Sequence, residues 1–119
     1  MILIPARNEG PRIAAVVHAA RAACPGVPVI VVVNNCTDDT ADQAMAAGAQ
    51  ILRSPPGYGP ALLVGYQHAL KRWDEGASPQ WLVQIDADGQ HPPHAIPDLV
   101  DALKSAHLVI GSRLAPGGS

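Results

Sequence analysis

The 119-residue sequence has no phenylalanine, and only two tryptophans and two tyrosines. A core of stacked aromatic rings is therefore excluded. The interior has to come from Val, Ile, Leu and the 20 alanines. Charge is scarce too: Asp, Glu, Lys and Arg make up 15% of the chain, with a net charge of −2. The low charge content excludes a disordered polyelectrolyte. The slight acidity removes the basic footprint of a general nucleic-acid binder. Long apolar runs are missing as well. The longest, Val27–Val33, is interrupted by Pro28 and falls far short of the roughly 20 residues that span a bilayer. Met1-Ile2-Leu3-Ile4-Pro5 has no charged n-region and no long h-region, so it does not read as a signal peptide. Cys24 and Cys36 lack CxxC spacing and read as two free thiols in a reducing compartment.

What is present is 48% apolar residue, enough for a buried core. The length predicts one domain over residues 1–119. Eleven glycines and twelve prolines, many of them at turn positions, punctuate the chain. Short β-branched runs alternate with Ala/Leu-rich stretches. Ile2-Leu3-Ile4 reads as a short first strand. Pro11 opens a helix carrying Ile13, Val16, Val17 and Ala20, and Cys24-Pro25-Gly26 ends it. Val27–Val33 has the near-continuous apolar character of a parallel strand buried on both faces. Thr37 or Asp38 caps a second helix over Thr40–Ala47, stopped by Gly48. Gln50–Arg53 reads as a strand. Pro60 starts a third helix whose face carries Leu62, Leu63, Tyr66, Ala69, Leu70 and Trp73. A strand over Trp81–Ile85 ends at Asp86. Pro92 and Pro93 begin a helix with Ile96, Leu99, Val100 and Leu103, and His107–Ile110 forms a last strand. This order predicts an α/β fold with a mostly parallel sheet. Right-handed crossovers then bring every strand-to-helix loop to one edge, where ligands of open α/β sheets bind. There is no internal repeat and no linker.

The polar residues concentrate at those loops. In Gln84-Ile85-Asp86-Ala87-Asp88-Gly89-Gln90-His91-Pro92 an apolar strand runs into two acids one residue apart. In extended backbone, residues two apart project to the same side, so Asp86, Asp88 and then Gln90 face one ligand. Adjacent carboxylates repel unless a cation lies between them. Oxygen-only donors suit Mg²⁺ or Mn²⁺ bound together with substrate phosphates. A polar turn with Asp88 capping a helix is the plainer reading of the same residues. Asn34, at a strand end, offers both a donor and an acceptor to a base or ribose, while Asp38 and Thr40 read as capping residues. Ile4-Pro5-Ala6-Arg7-Asn8-Glu9 forms a kinked polar loop able to wall a base, with capping or a salt bridge as the plainer role for Glu9. Gly57-Tyr58-Gly59 opens a helix in the manner of a phosphate cradle, without the Lys of a P-loop. Arg113, after Gly111-Ser112, reads as a solvated arginine or as a phosphate contact. The five histidines show no metal-ligand spacing, and only His91 neighbours the acids.

Taken together, these segments resemble the nucleotide-binding half of a family 2 glycosyltransferase of the Rossmann-like GT-A fold, nearest to the dolichyl- or polyprenyl-phosphate mannosyl- and glucosyltransferases. Five motifs stand in family order across nearly the whole chain: Ile4-Pro5-Ala6-Arg7-Asn8-Glu9, Asn34 to Thr40, Gly57-Tyr58-Gly59-Pro60-Ala61, Asp86 to Pro93, and Gly111-Ser112-Arg113. The resemblance implies an inverting, metal-dependent transfer of a hexose from a GDP- or UDP-sugar, with a polyprenyl phosphate as the acceptor. Pro5, Ala6 and Glu9 would line the nucleotide pocket, and Asn34 would contact the base. Gly57 and Gly59 would lie on the donor, and Asp86 near ribose and metal. Asp88 with Gln90 would ligate the Mg²⁺ or Mn²⁺, and Arg113 would lie near the phosphates or the acceptor, which makes Asp88 and Arg113 the catalytic pair. Asn34 stands where the family commonly has Asp, and Tyr58 where a basic residue is frequent. The resemblance further implies an N-terminal part of a larger domain, working in the cytoplasm and membrane-associated through downstream segments. The rivals are an inert, truncated nucleotide-sugar-binding fragment and a nucleotidyltransferase. The latter would want a Gly-rich basic N-terminal loop, which Ile4–Gly10 is not. An aspartyl phosphotransferase would carry its acids after the first strand rather than the fourth.

Overall fold

The computed structural model describes residues 1–77 and 81–87 and the backbone of 108–110. Eight elements follow in the order β1 (Ile2–Ala6), α1 (Gly10–Ala23), β2 (Val29–Asn34), α2 (Thr40–Ala46), β3 (Gln50–Ser54), α3 (Tyr58–Asp74), β4 (Leu82–Gln84) and β5 (Leu108–Ile110). The strands form a five-stranded sheet in the order β3-β2-β1-β4-β5, and every pair is parallel. The helix expected over Ile96–Leu103 lies outside the described residues. No described helix is long and apolar enough to cross a membrane.

Strict alternation builds two cores, one on each face of the sheet. Ile2, Ile4 and Ala6 of β1, Val29, Val31 and Val33 of β2, and Val83, Ile85 and Ala87 in and after β4 pack with Ile13, Val16, Val17 and Ala20 of α1 and Ala44 of α2. Met1, Leu3, Ile30, Val32 and Leu82 pack on the opposite face with Ala61 and Ala69 of α3. Two-sided burial explains why β1 and β2 are apolar almost throughout. Edge strand β3 instead exposes Gln50 and Arg53, polar residues that discourage further pairing.

Helix α3 departs from the expected pattern. Its buried residues are Ala61, Gly65 and Ala69, while Leu63 and Leu70 are 56% and 57% exposed. The reason is room rather than hydrophobicity. A Cβ on Gly65 would stand 2.5 Å from both terminal carbons of Leu3, so Leu3 fills the groove that the missing side chain leaves. A stripe of small residues at four-residue spacing lets the helix lie close to the sheet. The helix also begins at Tyr58, before Pro60. Gly57 precedes it at φ 119°, ψ 148°, a region essentially restricted to glycine. Pro60 sits within the first turn, where a backbone N–H has no helical partner to lose. The second helix is flanked by Asp39 at its N-cap rather than by Thr37 or Asp38. The Asp38 side chain nevertheless accepts the Thr40 N–H at 3.0 Å.

Candidate functional site

The strand order reverses at β1: the chain moves outward through β2 and β3, then returns to the other side of β1 for β4. Such a switch point is where open α/β sheets bind ligands. Local chemistry opens the gap there. Along β1 the odd-numbered residues face β4: the Met1 and Leu3 carbonyls accept from Val83 and Ile85 at 2.9 and 3.0 Å. The next such residue is Pro5, which has no N–H to give. The β1–β4 register accordingly covers only Ile2↔Val83 and Leu3↔Gln84, whereas β1 stays paired with β2 as far as Ala6. Asp86, partly exposed, follows just beyond the end of β4.

The loops around this gap are joined side to side. Asn8, at φ 52°, occupies the left-handed region that asparagine tolerates. Its Oδ1 accepts the Thr37 N–H at 2.8 Å and the Thr37 hydroxyl at 3.3 Å. The Cys36 thiol donates to the Ala6 carbonyl, and its sulfur accepts the Asn8 N–H, both at 3.4 Å. Thr40, fully buried, accepts the Glu9 N–H on its Oγ1 at 2.9 Å and donates its hydroxyl to Asp38. The other Asp38 oxygen accepts the Gly10 N–H at 3.1 Å. The Thr40 hydroxyl bond, helped by the Thr40 and Gly10 amides, outweighs the opposing effect of desolvation and holds the Asp38 carboxyl below its ordinary range. The loops after β1 and β2 thus form one unit.

The rim continues at Asn34, buried at the end of β2. Its Oδ1 accepts the Gly57 N–H at 2.8 Å. A backbone N–H can only donate, which fixes the orientation of the amide. At the start of α3, Tyr58 reaches inward with its hydroxyl. Gln84 Nε2 donates to that oxygen, and Gln84 Oε1 accepts from the Tyr66 hydroxyl at 2.9 Å. Burial, then the Asp86 carboxylate, raises the Tyr58 pKa.

Of the residues singled out in the sequence, Pro5 and Ala6 are buried at the end of β1, beside Val32 and Val33 of β2. Glu9 is the residue before α1. Its carboxylate pairs with Arg12 at 2.6 Å, the plainer of its two expected roles. Asn34 and Gly57 are brought together, and Gly59 lies in the first turn of α3. Asp88, Gln90, His91 and Arg113 lie outside the described residues. Among the described residues no cluster of three or more His, Cys, Asp or Glu could hold a metal ion. Cys24 and Cys36 are free thiols. Asn8, Cys36 and Gln84 were not predicted as structural members of this rim. The turn-forming character of Asn8 was the one available signal, since the Cys36 and Gln84 contacts join residues 18 to 30 positions apart.

This parallel sheet with flanking helices matches the GT-A class of glycosyltransferase structures. The M. tuberculosis glucosyl-3-phosphoglycerate synthase superposes with a TM-score of 0.68 at 27% identity, over 88% of this chain and 40% of that one. Its complex with Mn²⁺, UDP-glucose and phosphoglyceric acid gives 0.67 at 26% identity, over 87% and 38%. The family model for glycosyl transferase family 2 matches residues 1–119, and the chain belongs to that family. It is 36% identical to a polyprenol monophosphomannose synthase of Mycolicibacterium smegmatis, over 100% of this chain and 46% of that protein. It is 34% identical to an undecaprenyl-phosphate mannosyltransferase of Micrococcus luteus, over 99% and 49%. The chain therefore spans about half the length of the curated relatives it matches.

Proposed function

We propose that residues 1–119 are the donor-binding half of an inverting glycosyltransferase that takes a hexose from a GDP- or UDP-sugar, with a polyprenyl phosphate as acceptor at the cytoplasmic face of a membrane. The observation that carries this reading is Asp86 at the β1–β4 switch point, where the Pro5 gap opens beside a rim of joined loops. The relatives' polyprenyl-phosphate mannosyl transfer supports the acceptor class. The Mn²⁺ and UDP-glucose bound by a structural neighbour support the donor class.

In this reading Pro5, Ala6, Glu9 and Asn34 border the base, and Gly57 and Gly59 lie along the donor. Arg113 meets phosphate oxygens. Asp86, Asp88 and Gln90 hold Mg²⁺ or Mn²⁺. Their donor atoms fit a hard divalent ion, being oxygen ligands from two carboxylates and an amide. When bound, the ion would supply charge neutralisation for the leaving diphosphate. A lipid phosphate is already ionised near neutral pH, so its attack needs no strong general base from these residues.

Calorimetry with UDP- and GDP-sugars in Mn²⁺ tests the reading. The expected result is Mn²⁺-dependent binding of one donor by the wild-type chain, weakened at least about tenfold by Asp88→Ala. A wild-type chain that binds neither donor, or an Asp88→Ala chain that binds equally well, overturns it.

A further inference from the structure

Asn34 is 7% exposed, yet only one end of its amide is used. Oδ1 accepts the Gly57 N–H at 2.8 Å. That bond turns Nδ2 away from Gly57, because the oxygen and nitrogen of a carboxamide sit on opposite sides of one planar carbon. Among the described residues nothing accepts a hydrogen bond from Nδ2. Buried amide donors in folded proteins nearly always have a partner. A free one at the ligand-binding edge of a sheet therefore calls for an acceptor on the ligand. The position agrees. Asn34 is the last residue of β2, the strand next to β1 at the switch point. Ile30 and Val32 pack on the α3 face, and alternation carries Asn34 to that same face, where the chain turns into α3.

We propose that Asn34 is a specificity-determining residue whose Nδ2 donates to the exocyclic carbonyl of the donor's base, O4 of uracil or O6 of guanine. The inference rests on the donor reading above and adds to it the group that reads the base. Cytosine and adenine carry an amino group at the corresponding position. Two N–H donors brought face to face are both left unpaired, which is costly in a buried site. An aspartate at this position would reverse the sense of the contact. One carboxylate oxygen would keep the Gly57 N–H, and the other would accept from an amino group and repel a carbonyl. Side chain 34 thus sets the direction of the hydrogen bond at nearly constant shape.

Calorimetry in Mn²⁺ tests this with two pairs of nucleotides, UDP with CDP and GDP with ADP, on wild type and Asn34→Asp. Within each pair a carbonyl is exchanged for an amino group. In the pair that contains the donor's base, the wild-type chain should bind the carbonyl member at least about tenfold tighter. Asn34→Asp should cut that ratio at least about tenfold, to parity or below. A purely structural role for Asn34 weakens both members alike and leaves the ratio where it was. An unmoved ratio in Asn34→Asp overturns the proposal. So does a wild-type chain that binds the amino member as tightly as the carbonyl one, a comparison that needs no variant to fold. A wild-type chain that binds none of the four nucleotides overturns the donor reading itself, before any ratio is taken.

Discussion

Asn34 Oδ1 accepts the Gly57 N–H at 2.8 Å, so the last residue of β2 holds the residue that turns the chain into α3. Asn34→Ala leaves that donor without its partner and costs about 1–2 kcal/mol. Asn34→Asp keeps an acceptor in place and costs less than half as much. Urea unfolding of the three chains measures the difference, and equal midpoints would show that the bond adds nothing.

Thr40 gives a second test of the rim. Its hydroxyl accepts from Glu9 N–H and donates to Asp38 within a fully buried site. Thr40→Val preserves shape and removes both bonds, for a loss of about 2 kcal/mol. Thr40→Ser keeps the hydroxyl and loses less. Amide exchange at Glu9 and Gly10 should rise in Thr40→Val before the rest of the sheet is affected.

Gly65 tests the small-residue stripe. Alanine is the better helix former by about 1 kcal/mol, but its Cβ would stand 2.5 Å from Leu3. Overpacking of this kind costs about 1–3 kcal/mol, so Gly65→Ala is destabilising despite propensity. Adding Leu3→Ala should cost less in the Gly65→Ala chain than in the wild type. Strictly additive losses would place the clash elsewhere.

Acid sensitivity follows from the N-terminal amine, which donates to the Trp81 carbonyl at 2.7 Å. Burial, and then the Arg72 charge, pushes its pKa from 8.0 down to about 5. Between those values the unfolded chain binds more protons than the folded one, so stability rises with pH across the window and falls on acidification from 8 to 5. Burial, then Arg72 and Lys71, also lowers the His68 pKa from 6.5, adding a loss of the same sign as pH falls through that value. Denaturation of wild type, an Nα-acetylated chain and His68→Gln separates the two. Acetylation should flatten the upper part of the profile, while His68→Gln should leave it unchanged.

The sheet was legible because its residues announce it one strand at a time. The Val27–Val33 run could only be buried on both faces, and the strand appears as Val29–Asn34, once Pro28 is passed. The stop at Gly48 was equally plain, since the residue adopts φ 104°. The face of α3 is legible at Tyr66, Ala69 and Trp73, which pack on the sheet, but not at Leu63 and Leu70, because periodicity records which residues are apolar, not how much room the sheet leaves them. Leu63 and Leu70 matched the period and are exposed, while Gly65 carried no hydrophobic signal and is buried. The Asn8–Thr37 and Gln84–Tyr66 contacts were illegible for a different reason: short polar side chains find distant partners only once the strands are in register. Asp86 was placed correctly at a strand end because a single apolar run leads directly to it.

The loop after β1 borrows its anchors from Cys36, Thr37, Asp38 and Thr40. Neither segment is therefore a free module for grafting. A chimera that imports residues 7–10 from a relative without residues 36–40 inherits a loop with no moorings. Diversification at this corner of the fold has to proceed by matched exchange of both segments.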